Sequence, residues 1–354
     1  MEKLQRERES YIDIAKGLGI LLVILGHIEY MALWKVKFIY AFHMPFFFFV
    51  SGMLLFGSQT RSLKDRLIRK AKRIMLPYIF VSVADIVFHL LVYKLTGAWN
   101  FPGTLKESIV DTLCLYGYSV LWFLPALFIA EVFYFLVRKV MEPLGKEHET
   151  VSRSLPLLVT FFVAILVYEL TKGSEVHVVL MLQRALLCSV FLAAGALLKP
   201  VFGYFKDKPV VSFLLGIVCF IVLSFTAQAN AHIDMHTGGY GRVWLFYINA
   251  LIGSFGLLFL SIGLDVLSKT EKAPFIYLGK NSLIYMIVHM DFQVLFVTEW
   301  LIIRLTHYED LELAPWFFVP AIFLGTVLGS TVLVMCYLFV KKQVLAAFAK
   351  RKEA

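Results

Sequence analysis

The chain has 354 residues, of which 60% are hydrophobic and only 17% charged, with 33 Phe and a mean hydropathy of +0.78. That balance excludes an ordinary soluble domain and leaves a polytopic membrane protein. A net charge of +9 would suggest nucleic acid in a soluble chain, but no nucleic-acid partner is expected here, because Lys and Arg gather between apolar segments as membrane topology requires.

Taken in chain order, apolar runs of spanning length fall near 11–33, 36–56, 74–95, 119–140, 155–172, 176–198, 209–228, 243–266, 282–303 and 315–340. They predict an all-α integral membrane protein with about ten transmembrane helices of ~20 residues each. The charged segment 1–10 precedes an apolar run longer than a signal-peptide core, so it reads as a short tail before a retained helix. A second tail covers 341–354. No polar stretch is long enough for a separate soluble domain, and 1–354 is read as one membrane domain. With both ends on one side, that side collects 25 of the 34 Lys and Arg against seven opposite, so both termini are expected in the cytoplasm.

The connections carry their own signals. In 96–118, Asn100, Pro102 and Gly103 supply turn chemistry before a short amphipathic stretch expected at the outer interface. In 229–242, His232, Asp234 and His236 alternate in a Gly-rich polar loop, which suits a solvated flexible loop better than a metal site. No metal is assigned. Cys114, Cys188, Cys219 and Cys336 stand singly in apolar runs and read as packing residues. No inverted repeat of the kind found in many transporters is visible.

Ionisable groups within the spans cost roughly 2.5–3.5 kcal/mol each at mid-helix for Asp or Lys, so they need partners or a purpose. Lys16 and His27 are eleven residues apart, which returns a helix to within ~20° of the same direction some 16 Å further on. Asp13, a turn before Lys16, is expected to pair with it. His43 falls at the depth of His27 on the next antiparallel helix, so the short connection predicts that the two meet, with Pro45 loosening the helix beside them. Histidine is suited to proton transfer near neutral pH; the plainer alternative is that both rings only join helices. Further along, Glu131 and Arg184 are expected as an ion pair and Asp85 with His89 as neighbours on one helix face. Trp122 reads as an interface anchor and the aromatic run 46–49 as packing or lipid contact. Arg61, Lys64, Arg66, Arg69, Lys70, Lys72 and Arg73 form a basic strip suited to anionic membrane lipids and to phosphate.

The run D-x-A-K-G-x(9)-H (13–27) followed by F-H-M-P-F-F-F-F-V-S-G (42–52) resembles the opening of membrane-bound acyltransferase family 3, in particular its fucose 4-O-acetylase-like branch. R-L-I-R-K-A-K-R-I-M-L-P-Y (66–78), L-W-F-L-P-A-L-F (121–128) and L-G-K-N-S-L-I-Y-M-I-V-H (278–289) extend the likeness over nearly the whole chain. The family carries R-x(10)-H; here Lys16 stands in the Arg place and His27 is the His. Lys keeps the charge but not the bidentate geometry.

The resemblance implies transfer of an acyl group, usually acetyl from cytosolic acetyl-CoA, to a hydroxyl of a glycan or lipid-linked saccharide. Acyl-CoA is then a donor substrate, with no permanently bound cofactor, and glycan-assembly proteins are possible partners in a bacterial cell membrane. His27, His43, Lys16, Asp13 and His289 are the candidate catalytic residues. Lys16, Arg69 and Arg73 are the candidates for coenzyme A phosphates. His27, assisted by His43, acts as general base or is itself transiently acylated. The competing reading is an exporter of a saccharide or lipid-linked intermediate that uses the buried charges as a proton relay.

Overall fold

A computed structural model describes residues 9–55, 63–97, 104–145, 149–307, 311 and 314–353. Arg61 and the turn residues Asn100, Pro102 and Gly103 lie outside them. Fifteen α-helices follow one another among the described residues. The first are α1 (Ser10–Gly26), α2 (Leu33–Tyr40) and α3 (His43–Leu55), followed by α4 (Leu63–Lys70), which runs through a π-helical turn, Ala71–Met75, into α5 (Leu76–Thr96). The short α6 (Leu105–Leu113) precedes five long helices: α7 (Phe123–Met141), α8 (Glu149–Thr171), α9 (His177–Phe205), α10 (Pro209–Thr226) and α11 (Val243–Leu264). α12 (Lys269–Lys280), α13 (Ser282–Met290), α14 (Val294–Thr306) and α15 (Pro315–Glu353) complete the order.

Among the described residues, eight segments are long and apolar enough to cross a bilayer, and α13 with α14, bent by 53° at a short break, makes a ninth. Each corresponds to an apolar run in the sequence. The run at 11–33 corresponds to α1, which has 17 residues and carries Asp13 near its start. The chain is an all-α polytopic membrane protein.

Helix ends follow local chemistry more than hydropathy. α1 stops at Gly26, several residues before the apolar run does, with the His27 amide closing onto Ile24 and Leu25 carbonyls. The run 36–56 is interrupted by a turn at residues 41–42, invisible to hydropathy because Ala41 and Phe42 are themselves apolar. Capping boxes start α6 (Thr104 with Glu107) and α12 (Ser268 with Glu271), each satisfying two otherwise unpaired amides. The first of these confirms a short amphipathic helix in the 96–118 connection. α15, at 39 residues, is roughly 58 Å long and outruns a ~30 Å hydrocarbon core.

Packing sorts the chain into two units, Met1–Val36 with Leu267–Ala354 and Lys37–Val266. In the first, α1 lies along α12. Gly17 meets the Phe275 backbone and Gly279 meets the Asp13 carbonyl, each so closely that a Cβ would overlap the partner. A second cluster joins Ile28, Leu295, Leu311, Phe318 and Ile322.

In the second unit, α3 crosses α9 in the same manner, Gly52 against Leu192 and Gly195 against Phe49. Lipid tails are as apolar as Leu, so helices in a bilayer associate through close van der Waals contact, which small residues permit. Phe46, Phe48 and Phe49 are fully buried, so the aromatic run is packing. Phe80, Phe162 and Phe225, by contrast, are about 70% exposed (72%, 68% and 74%), as a lipid-facing surface requires.

Candidate active site

The α1 and α13 helix ends bring two imidazoles together within the first unit. His27 caps α1, with its Nδ1 2.8 Å from the Val23 carbonyl. His289, in the last turn of α13 and fully buried, sets its Nδ1 3.0 Å from the Tyr285 carbonyl. A carbonyl only accepts, so both Nδ1 atoms carry the proton and both Nε2 atoms carry the lone pair in the neutral rings. His289 Nε2 lies 3.3 Å from His27 Nδ1, with ring centroids 5.0 Å apart and planes at 64°. Thus His289 accepts from the same N–H that holds Val23, and the basic atom of His27 is its Nε2. A proton arriving at Nε2 makes an imidazolium whose other N–H already has two acceptors in place.

Asp13 and Lys16 lie on α1, about 16 Å along the axis from His27 in the case of Lys16. Asp13 is buried and its carbonyl rests on Gly279; Lys16 is half-buried. The structure therefore joins His27 with His289 and leaves Lys16 at the other end of the same helix. Tyr285, four residues before His289, was not singled out from the sequence. Its signal was the i−4 spacing itself, which lets a helical carbonyl fix an imidazole.

His43 belongs to the second unit. It opens α3, is buried, and sets Nδ1 2.9 Å from the Ile39 carbonyl. Its ring meets Tyr40 edge-on at 4.8 Å, and Tyr40 in turn meets His232 at 4.7 Å. His232 comes from the loop read as solvated and flexible. That loop is a built element: Asp234 and Gly239 pair backbone to backbone, the Asp234 carboxylate accepts from the His236 and Thr237 amides, and Ile233, Met235 and Tyr240 are buried. Among the described residues no three metal-binding side chains converge.

Two sequence expectations fail on inspection of partners. Glu131 pairs with Lys70 at 2.6 Å rather than with Arg184. Arg184, fully buried, donates to the Tyr116 carbonyl at 2.7 Å and the His236 carbonyl at 3.3 Å, and its guanidinium lies between the Tyr116 and Trp122 rings at 4.9 and 5.0 Å. Trp122 is accordingly a buried partner of a cation and not an interface anchor. Both outcomes have one cause: a guanidinium satisfies itself with carbonyls and ring faces, whereas an ammonium on a flexible stem reaches the carboxylate.

Asp85 and His89 do meet, at 3.6 Å, and Tyr118 donates to Asp85 at 2.7 Å. His236 donates Nε2–H to the Gly117 carbonyl at 3.0 Å; burial, then the Arg184 charge, lower its pKa from 6.5. Arg69, just before the π-helical turn, and Arg73, within it, are both exposed.

Comparison with known proteins adds a family. Residues 9–335 match the model of Acyl_transf_3, described as an acyltransferase domain. The chain is 34% identical over 137 residues to the nodulation protein NolL of Mesorhizobium japonicum, covering 35% of this chain and 34% of that protein. It is 28% identical over 134 residues to NolL of Sinorhizobium fredii, covering 34% and 35%. The chain thus spans about a third of the length of the curated relatives it matches. No solved structure matches it.

Proposed function

Because the chain belongs to the acyltransferase 3 family, we propose that it moves an acetyl group from cytosolic acetyl-CoA to a hydroxyl of a cell-surface or lipid-linked glycan in a bacterial cell membrane. The observation that carries this reading is the His27–His289 pair, with Nδ1 of His27 anchored and Nε2 as its basic atom. Support for the sugar as acceptor comes from the resemblance of the 13–27 and 42–52 motifs to the fucose 4-O-acetylase-like branch.

In the proposed reaction His27 Nε2 takes the proton from the acceptor hydroxyl as its oxygen attacks the thioester carbonyl. The tetrahedral intermediate collapses by expelling the coenzyme A thiolate, which takes the same proton from the imidazolium. The products are the O-acetyl ester and free coenzyme A. His289 is the positioning residue that holds the His27 N–H. His43, buried beside Tyr40, is assigned to the acceptor. Lys16 and the exposed Arg69 and Arg73 are assigned to the donor, since cations of this kind bind the coenzyme phosphates by charge-assisted hydrogen bonds, and Asp13 is assigned to orient Lys16. Membership of one family over 9–335 supports treating the chain as a single acyltransferase domain.

The test is transfer of labelled acetyl-CoA to a saccharide acceptor by the purified protein in vesicles. His27→Ala is expected to lower kcat by about 10²–10⁴-fold, the range for loss of a general base. Undiminished transfer in that variant overturns the assignment.

A further inference from the structure

We propose that the hydroxyls of Thr326 and Ser330 on α15 hold the acyl donor by two carbonyl oxygens: Thr326 takes the thioester oxygen, and Ser330 the nearest amide oxygen of the pantetheine arm. This rests on the acyl-transfer reading above and adds the group that meets the developing negative charge.

Both side chains are fully buried, yet neither Thr326 Oγ1 nor Ser330 Oγ makes a hydrogen bond among the described residues. A hydroxyl on a helix commonly turns back to the carbonyl four residues earlier. Thr331 of the same helix does so, to Val327 at 2.7 Å, as does Thr298 of α14, to Val294 at 2.7 Å. A buried hydroxyl that forgoes this bond costs stability until something else accepts from it. Lipid cannot be the acceptor: Leu324, Leu328 and Val332 form the exposed face of α15, while Thr326 and Ser330 share the buried one with Ile322 and Val334.

Two contacts set their level beside the imidazole pair. Ile322, one turn before Thr326, belongs to the cluster that buries Ile28, the residue after His27. Thr331, next to Ser330, bonds the Tyr285 hydroxyl at 2.8 Å, and the Tyr285 carbonyl anchors His289. Thr326 and Ser330 lie between these contacts, on a helix that packs against both α1 and α13. From Thr326 to Ser330 the path runs from the His289 end of α13 towards its start at Ser282, shortly after Gly279, which touches Asp13. It therefore leads to the end of α1 that carries Lys16, assigned above to the coenzyme.

The spacing fits the donor. Residues four apart on a helix are about 6 Å apart along its axis. In acetyl-CoA five bonds join the thioester carbon to the nearest amide carbon, again about 6 Å when extended. As the acceptor oxygen bonds to the thioester carbon, its proton passes to His27 Nε2 and the carbonyl electron pair moves onto oxygen, to which Thr326 donates a hydrogen bond. When that pair returns, the C–S bond breaks and the thiolate takes the proton from the imidazolium. Thr326 gives up no proton in either step.

The test uses the purified full chain in vesicles with labelled acetyl-CoA and an alkyl hexoside. Thr326→Val keeps the shape and removes the hydroxyl, and is expected to lower kcat about 10²-fold with little change in the KM for acetyl-CoA. Thr326→Ser is expected to recover most of the rate. Ser330→Ala is expected to raise the KM for acetyl-CoA and the dissociation constant of coenzyme A about 3- to 10-fold, leaving the KM for the alkyl hexoside unchanged. Neither loss of a hydroxyl is expected to lower the melting temperature, since each removes an unengaged donor. Should Thr326→Val not fold, Thr326→Ala takes its place.

Full kcat in Thr326→Val, equal loss in the Val and Ser variants, or a Ser330→Ala effect on the alkyl hexoside instead of the donor overturns the proposal. If the parent chain transfers no acetyl while Ser330→Ala still weakens coenzyme A binding by calorimetry, the transfer reading fails and the Ser330 contact stands. If the parent is active and Ser330→Ala binds coenzyme A as the parent does, the proposal fails and the transfer reading stands.

Discussion

His27 Nδ1 and His289 Nε2 stand 3.3 Å apart although 262 positions separate them in the chain. Each ring is fixed by a carbonyl four residues earlier on its own helix, so the contact joins two preset groups and does not depend on two mobile ones finding each other. A preset base needs no reorganisation when it accepts a proton.

His289→Ala is expected to lower kcat by about 10- to 100-fold with little change in KM for acetyl-CoA, since it removes an acceptor that supports the imidazolium and no contact to the donor. His289→Gln retains an acceptor oxygen and is expected to recover part of the loss. Steady-state kinetics of the two variants check this; equal, complete loss in both would mean that His289 does more than position His27.

Gly279→Ala is expected to destabilise the α1–α12 contact by about 1–3 kcal/mol, because the added methyl overlaps the Asp13 carbonyl and helices cannot part without losing their contact. Gly97→Ala, where nothing lies near a Cβ but φ is +71°, is strained by backbone alone and costs less, about 1 kcal/mol. Thermal unfolding in detergent, read by loss of monodispersity, ranks the two.

Lys70→Met is expected to cost about 3 kcal/mol or more by leaving Glu131 buried without its partner, while the double variant Lys70→Met, Glu131→Leu recovers most of the loss. The pair is unequally placed, Glu131 being 1% and Lys70 25% exposed. Removing the carboxylate alone is therefore expected to be the milder single change, since Lys70 retains access to solvent.

His236 supplies a pH dependence with a definite sign. Its pKa in the folded protein lies below the unfolded value of 6.5, held down by burial and by the Arg184 charge against the opposing pull of Asp234 and Asp111. The folded state thus binds fewer protons, so the stabilisation from this site is complete above about pH 6.5 and declines as the pH falls below it. His236→Gln is expected to flatten the fall in melting temperature between pH 7.5 and 5 relative to the parent chain. An unchanged slope would remove His236 from the account.

Much of the architecture was legible because a bilayer leaves few options. Spans must be apolar and about 20 residues long, and each of the ten runs has its helical counterpart. What hydropathy could not register were short interruptions inside apolar runs: the turn at 41–42, made of Ala41 and Phe42, and the three-residue α13–α14 break ending at Gln293. The site was legible in parts. His27 stood out as an ionisable group in an apolar helix, and the spacing of Asp85 and His89 was sufficient because it is local. His289 as the neighbour of His27 depends on a contact between the two ends of the chain, which no periodicity reports. The partners of Glu131 and Arg184 were exchanged for a similar reason: sequence identifies a buried charge but not the carbonyls and ring faces that compete for it.

The π-helical turn at Ala71–Met75 has a consequence for register. Such a turn holds one residue more than the α-helical turn it replaces, so it acts as a one-residue insertion that rotates α4 relative to α5 by about 100°. Lys70 immediately precedes it and reaches Glu131; Arg69, one residue earlier, and Arg73, inside the turn, are exposed. Deleting one residue within 71–75 would let the segment wind as a continuous α-helix and turn Lys70 away from Glu131. The insertion is thus what allows one short basic stretch to serve two directions, one cation inward to a buried carboxylate and its neighbours outward to whatever anion approaches.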